Sequence, residues 1–374
     1  MRDTDFRHAG AVLEIDLSAI RHNYRTLRAM VGGTCAAVVK ADAYGLGAAA
    51  VAQVLYAEGA RQFFVAHLDE ALALRPALPA GAEVFILNGL PPGAEADCAA
   101  SGLIPVLNSA AQIDAWAGLA RLQGRPLLAV VQVDSGMSRM GLPEDELEAV
   151  TATPERLEGI TLRLVMSHLA CAERQDHAMN RTQLAGFEAA RRRLPAAPGS
   201  FANSSGIFLG SDFHFDLARP GAALYGIAPV ANAPNPMRPV VRLRGRIVQI
   251  RDIPAGAQVG YGASWTAERP GRIATVSVGY ADGYLRSLSH RAVAHVGEMP
   301  VPLVGVVSMD SITLDVTGAP AAVPGGFVDL IGPHNPVDAV ATAASTIGYE
   351  VLTSLGSRYA RAYADALCTE RQTA

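Results

Sequence analysis

The chain has 374 residues, half of them hydrophobic and 18% charged, with 31 basic against 35 acidic side chains for a net charge of −4. That is the composition of a folded globular protein with room for a barrel of about 250 residues and a smaller unit, and it offers no basic field for a nucleic-acid partner. No apolar run approaches the roughly 20 residues of a membrane span, and the charged start MRDTDFRHAG is unlike an export signal, so the expected address is cytoplasmic, with no membrane and no nucleic-acid partner.

From Leu13 to about Tyr225, short apolar or β-branched runs alternate with Ala-rich stretches of helical period. AVLEIDL, CAAVVK, FFVAH, EVFILN, LIPVLN, LLAVVQVD, LRLVMSH, SFANSS and FDLAR read as strands, and AAAVAQVLYAEG, DEALALR, AAQIDAWAGLARL and RTQLAGFEAARRRL as helices between them. About eight βα units result, the pattern of an α/β fold with an N-terminal (β/α)8 TIM-like barrel. A doubly wound open sheet is the alternative, disfavoured because no GxGxxG follows the first strand. Every run after the first ends in a polar residue: Lys40, His67, Asn88, Asn108, Asp134, His168, Asn203 with Ser204, and Arg219. In a barrel those ends converge on one mouth.

Lys40 is the sole lysine, so 30 of the 31 basic side chains are arginine. Arginine serves on a surface or in an ion pair, but it does not become the neutral amine that forms a Schiff base. Lys40 ends CAAVVK, where burial lowers an amine's pKa. The chain then turns through Gly45 and Gly47 into a helix whose N-terminus favours an anion, with the Tyr44 hydroxyl beside it. Together these read as an amine next to a phosphate site. The cysteines, Cys35, Cys98, Cys171 and Cys368, form no CxxC pair, and no metal is expected.

Prolines cluster in PVANAPNPMRPV, residues 229–240, and mark a boundary. The expected division is a barrel over 1–236 and a C-terminal mainly-β domain over 237–374, the extreme N-terminal strand being a candidate to pack on the β domain. In the second part VVRLRGRIVQI, RIATVSVGY, RAVAHVG, VPLVGVVSM and SITLDV alternate with Gly/Pro turns. A short helical tail is expected near 339–366.

VVKADAYG resembles the pyridoxal-phosphate attachment segment of bacterial alanine racemases. VDSGMSRMG, MSHLA, ANSSG, ARPGAALYG, VGYGASW, VGYADGY and VSMD follow in that family's order over essentially the whole chain. The resemblance implies a barrel-type fold III isomerase with pyridoxal 5′-phosphate as cofactor and a small amino acid as substrate. It further implies a homodimer with shared active sites, interconverting L- and D-alanine and supplying D-alanine for peptidoglycan.

Under that resemblance Lys40 holds the cofactor and serves as base on one face of the substrate Cα. Tyr261, from the other subunit's β domain, serves the opposite face with His168 as its partner. Arg219 pairs with the pyridine nitrogen; always charged and donor-only, it disfavours a second positive charge there and favours prompt reprotonation over decarboxylation. On the residues alone, Arg219 reads equally well as a structural ion pair with Asp216. Arg139 is implied to contact the cofactor's phenolic oxygen and the substrate carboxylate. Asn203 and Ser204, Tyr44, the Gly221 and Ala222 backbone and Tyr349 are implied to bind the cofactor, chiefly at its phosphate. Met309 with Asp310 completes the substrate pocket from the second subunit, and Tyr280 with Asp282 lines the entrance.

Three positions depart from the family pattern. Gln132 stands where many members carry a carbamylated lysine, so either its amide orients Arg139 or the two bind a small anion such as chloride. Leu46 replaces a frequent histidine and Val306 a frequent arginine, which bears on substrate access. The alternatives are a racemase of serine or another amino acid, a decarboxylase on the same barrel, which Arg219 argues against, and a non-catalytic cofactor carrier, which would resemble the barrel alone.

Overall fold

The structure is a computed structural model and describes residues 6–364. The chain divides into two compact units, one of residues 21–224 with 228–237, the other of the described residues up to Ile20, Tyr225–Ile227 and those from Arg238 onward.

In the first unit the strands Ala37–Val38, Gln62–Val65, Glu83–Ile86, Ile104–Leu107, Leu127–Gln132, Ile160–Met166 and Gly199–Ser200 lie side by side in chain order, every pair parallel. An eighth, Leu217–Ala218, pairs in parallel with Thr34–Cys35, and Arg219 bridges in parallel to Asn203. Backbone N–H groups of Thr34, Ala36 and Val38 donate to Asp216, Ala218 and Pro220, each at 2.9 Å, so the sheet closes on itself. The barrel is thus complete, and closure leaves no open edge. Its strands are buried on both faces, as Phe63, Phe64 and Val65 or Val84, Phe85 and Ile86 illustrate. This is why they read as unbroken apolar runs. The surrounding helices carry ordinary end signals. Ala110–Gln123, for instance, is capped by the Ser109 hydroxyl accepting from Gln112 N–H and stops at Gly124 with φ 62°.

The second unit is built on the long strand Val241–Ile253, which pairs antiparallel with Ala11–Asp16, Phe327–Ile331 and Gly271–Val276, its register shifting at two bulges. The strand Ala11–Asp16 also pairs in parallel with Ala360–Ala364. The first run of the sequence therefore lies in the β unit, the placement for which the extreme N-terminal strand is a candidate, so the nominal 1–236 bound takes in a strand that the barrel does not. The physical reason is that all six residues of AVLEID are buried, Glu14 being paired with Arg244 at 2.5 Å, so no alternation distinguishes it from a barrel strand. The expected helical tail is corrected. Helices Val337–Ala343 and Gly348–Ser354 form, but Ala360–Ala364 is a strand, because pairing with Ala11–Asp16 overrides the helical propensity of its alanines. Residues 365 and 366 of that tail lie outside the described residues. Among the described residues no helix is long and apolar enough to cross a membrane.

Candidate active site

Lys40 leaves the strand Ala37–Val38 at the barrel's C-terminal end and enters a left-handed turn. Ala41, Asp42, Ala43 and Tyr44 all have φ between 53 and 56°. Each such residue costs an L-amino acid about 1–2 kcal/mol, so four in a row need outside support. Two carboxylates give it: Asp42 accepts from Ala48 N–H at 2.7 Å, and Glu70 accepts from Ala41 N–H at 2.7 Å. Asp42 thereby takes the first N–H of the helix Ala48–Ala57. The Lys40 amine makes no hydrogen bond or ion pair among the described residues. Burial and the Arg139 charge lower its pKa, and the Glu70 charge opposes them.

The other polar strand ends of the mouth act on one another. Arg219 is 3% exposed. Its guanidinium donates to the Ser200 hydroxyl at 2.5 Å and to the Ser167 carbonyl at 2.7 Å, with no carboxylate among its partners. The alternative ion pair with Asp216 is not formed, since Asp216 accepts instead from Arg191 at 3.3 Å and from Gly199 N–H at 2.6 Å. Burial brings Arg219 down to about 9, still charged at neutral pH. Burial, then the charges of Arg219, Arg139 and Lys40, hold the His168 imidazole well below its ordinary range. It is therefore neutral near pH 7, with a ring nitrogen able to accept a hydrogen bond. Arg139 is exposed on a loop that Asp134 organises by accepting the N–H groups of Gly136, Met137 and Ser138 at 2.8–3.2 Å. Gln132 is buried, and its amide donates to the Met140 carbonyl at 3.2 Å. That bond fixes the amide beside the loop that carries Arg139, using one of its two N–H donors.

Tyr44 is buried with its hydroxyl against Gly221, where an added Cβ would lie 2.5 Å from that oxygen. Ser204 accepts from Gly221 and Ala223 N–H at 2.9 and 3.2 Å, and Asn203 accepts from Gly206 N–H at 2.8 Å. Ala222 opens the 3₁₀ turn Ala222–Tyr225, so its N–H has no acceptor earlier in that turn. Tyr44, Asn203, Ser204, Gly221 and Ala222 thus form a small polar cradle at one side of the mouth. A hydroxyl-lined backbone cradle, an unpartnered amine and a buried guanidinium without a counter-carboxylate together fit a phosphate-bearing pyridine aldehyde.

Tyr261, Tyr280, Met309, Asp310 and Tyr349 lie in the β unit. Tyr261 sits in a turn between Gly260 (φ 77°) and Gly262 (φ 71°), with its ring 75% exposed. Tyr280 N–H donates to Ser308 C=O and Ala281 N–H to Met309 C=O, both at 3.0 Å, so VGYADGY and VSMD meet. Arg358 ties them further, bonding Asp282 at 2.8 Å and Asp310 at 2.7 Å. Leu46 is buried, and Val306 lies beside Gly260. Sequence reasoning missed Glu70, Asp42 and Arg358. For Glu70 a signal existed, an acid three residues after a polar strand end, but its partners are backbone groups that no motif displays.

Two family models match the chain, the alanine racemase N-terminal domain over residues 15–229 and the alanine racemase C-terminal domain over residues 240–363. The catabolic alanine racemase of Agrobacterium fabrum is 52% identical over 358 residues, covering 95% of this chain and 92% of that protein. The alanine racemase of Brucella abortus is 49% identical, with 95% and 94% covered. The crystal structure of the Bartonella henselae alanine racemase with covalently bound pyridoxal phosphate superposes with a TM-score of 0.92 at 46% identity, covering 95% of this chain and all of that one.

Proposed function

The chain belongs to the alanine racemase family, and from that premise we propose a pyridoxal-phosphate-dependent isomerase that interconverts L- and D-alanine in a homodimer with shared active sites. Lys40 would hold the cofactor, Arg219 would face its pyridine nitrogen, and Tyr44, Asn203, Ser204, Gly221 and Ala222 would hold its phosphate, joined by Tyr349. The cofactor, when bound, withdraws electrons from the substrate Cα and so acidifies its proton.

The chain's own residues then do the proton work. Lys40, its amine unpaired and more readily neutral than an ordinary lysine's, takes or returns the proton on one face. The partner subunit's Tyr261 serves the other face, and neutral His168 accepts from its hydroxyl to activate it. Arg139 orients the substrate carboxylate with its planar donor fork, and Met309, Asp310 and Tyr280 bound the pocket. The observation that carries the reaction type is Arg219, whose bonds go to a hydroxyl and a carbonyl instead of a carboxylate. A guanidinium there resists a second positive charge, which suits prompt reprotonation and argues against decarboxylation. The dimer rests on Tyr261, Tyr280 and Met309, large side chains that one chain leaves 75, 43 and 54% exposed. Where the carbamate would stand, Gln132 and Arg139 together would bind a small anion such as chloride, the alternative being that the Gln132 amide orients Arg139 directly.

The test is proton NMR of L-alanine with the cofactor-loaded protein in heavy water, followed by chiral analysis. Loss of the Cα signal with D-alanine appearing is expected. Loss with only L-alanine recovered would remove the role of Tyr261, and an unchanged signal would remove alanine as the substrate. Replacing chloride by gluconate in the same assay should slow exchange; an unchanged rate removes the anion. For the physiological role we propose supply of D-alanine to peptidoglycan in the cytoplasm. The name of the Agrobacterium relative favours a second reading, breakdown of alanine as a nutrient. A deletion strain that requires D-alanine supports the first; one that only fails to grow on alanine supports the second.

A further inference from the structure

The strand that delivers Lys40 loses its partner at the wrong moment. Val39 N–H donates to Phe64 C=O at 2.8 Å, the last bond of the ladder between Ala37–Val38 and Gln62–Val65. One residue later the chain swings into the left-handed turn and can supply no further bond to its neighbour. Glu70, on the helix Leu68–Leu74 that follows the neighbouring strand, fills the gap. Its Oε1 accepts from Ala41 N–H at 2.7 Å, while its Oε2 accepts from Ala66 N–H at 2.6 Å and His67 N–H at 3.3 Å. One carboxylate therefore ties the residue after Lys40 to the end of the adjacent strand.

Charge gives the same residue a second task. Of the groups whose charges bear on Lys40, Arg139 disfavours its positive form and Glu70 favours it, and the Lys40 charge in turn acts on His168, just past the end of Ile160–Met166. We propose that Glu70 is the positioning residue of Lys40, holding the strained turn in register by joining Ala41 N–H to the N–H groups of Ala66 and His67, and placing a negative charge beside the Lys40 and Arg139 cations. A carboxylate is required for both tasks. A glutamine has one acceptor oxygen, and its NH₂ would face N–H donors.

Lys40 being the sole lysine, its amine can be followed without interference from any other side-chain amine. Full-length, cofactor-free wild type, Glu70→Gln and Glu70→Asp are treated with trinitrobenzenesulfonate across a range of pH, and the Lys40 peptide is quantified by mass spectrometry. Glu70→Gln should move the midpoint of labelling to lower pH, raising the rate at least about threefold at a fixed pH below it. Glu70→Asp, which keeps the charge, should stay within about twofold of wild type. In the loaded enzyme, Glu70→Gln should lower kcat about tenfold or more and leave KM for alanine within about threefold, since no substrate contact is touched. A Glu70→Gln labelling curve superposable on wild type overturns the electrostatic task. An unchanged kcat overturns the positioning task; where Glu70→Gln loses the wild-type fold, Glu70→Asp decides it, since its shorter carboxylate does not span Ala41 and Ala66 N–H and its kcat should fall about threefold or more, a wild-type kcat overturning the proposal. The inference builds on Lys40 as the cofactor's anchor, but the labelling arm does not need it. Should wild type fail to racemise alanine, that reading falls while the labelling curves still judge Glu70.

Discussion

Around Lys40, four consecutive residues with side chains hold φ between 53 and 56°, kept there by the carboxylates of Glu70 and Asp42 with Ala43 and Tyr44 buried beneath. Around Tyr261, glycines at 260 and 262 take up most of the positive φ, Ala263 follows at 47°, and the ring stands 75% exposed. The first turn is strained and therefore built only where fixed partners hold it, so Lys40 is preorganised within its own chain. The second costs little and commits the tyrosine to nothing. That contrast is what a site divided between two chains requires: one base set by folding, the other set by assembly.

The strongest way to break the contrast is to remove each base and then mix the products. Lys40→Ala and Tyr261→Phe should each lose at least about a hundredfold in kcat. Mixed under conditions that exchange subunits, they should recover to about a quarter of wild type, because half the dimers are mixed and each of those holds one intact site. No recovery would place both bases in one chain.

A pair of glycines sharpens the contrast at smaller cost. A Cβ at Gly221 would meet the Tyr44 oxygen at 2.5 Å and Val38 Cβ at 3.3 Å, whereas one at Gly262 would meet nothing within 4 Å. Gly221→Ala should therefore weaken pyridoxal-phosphate binding about tenfold or more in a fluorescence titration, as Tyr44 is pushed from the cradle. Gly262→Ala should leave that affinity unchanged and cost only its backbone, about 1 kcal/mol in urea unfolding. Equal affinities in the two variants would remove the cradle from the cofactor site.

The same contrast explains what was legible beforehand. Barrel strands announce themselves as apolar runs ending in polar residues, and Lys40 stood out because no other lysine competes with it. The left-handed turn did not, since no propensity rule puts two alanines, an aspartate and a tyrosine at positive φ. Glu70 and Asp42 were hidden because their partners are backbone N–H groups, one of them across a strand boundary. The strand Phe327–Ile331 escaped as well, being five residues between glycines and a proline-bearing loop. In AVLEID, burial of both faces erased the alternation that tells a β-unit strand from a barrel strand, so its place in the β unit was legible only as a candidate. Legibility failed wherever a tertiary partner, and not a local pattern, decided the conformation.

The smallest effect concerns two histidines, one in each unit. His168 is held well below the ordinary range by burial and by Arg219, Arg139 and Lys40; His295, 9% exposed and with its Nδ1 unbonded, is lowered by burial and by His334, with Asp329 opposing. In both, the unfolded chain binds a proton more readily than the folded one, so stability is whole above the unfolded pKa of about 6.5 and is lost as pH falls through it toward the folded value. Each group alone costs at most about 1.4 kcal/mol per pH unit in that window. Urea midpoints of the cofactor-free protein should therefore fall from pH 7.5 to pH 5.5. His168→Gln should flatten the fall more than His295→Gln, since three cations act on the first while a carboxylate relieves the second. If His295→Gln flattens it equally, the barrel mouth lacks the basic field that Glu70 is proposed to balance, and the electrostatic half of the contrast between the two turns goes with it.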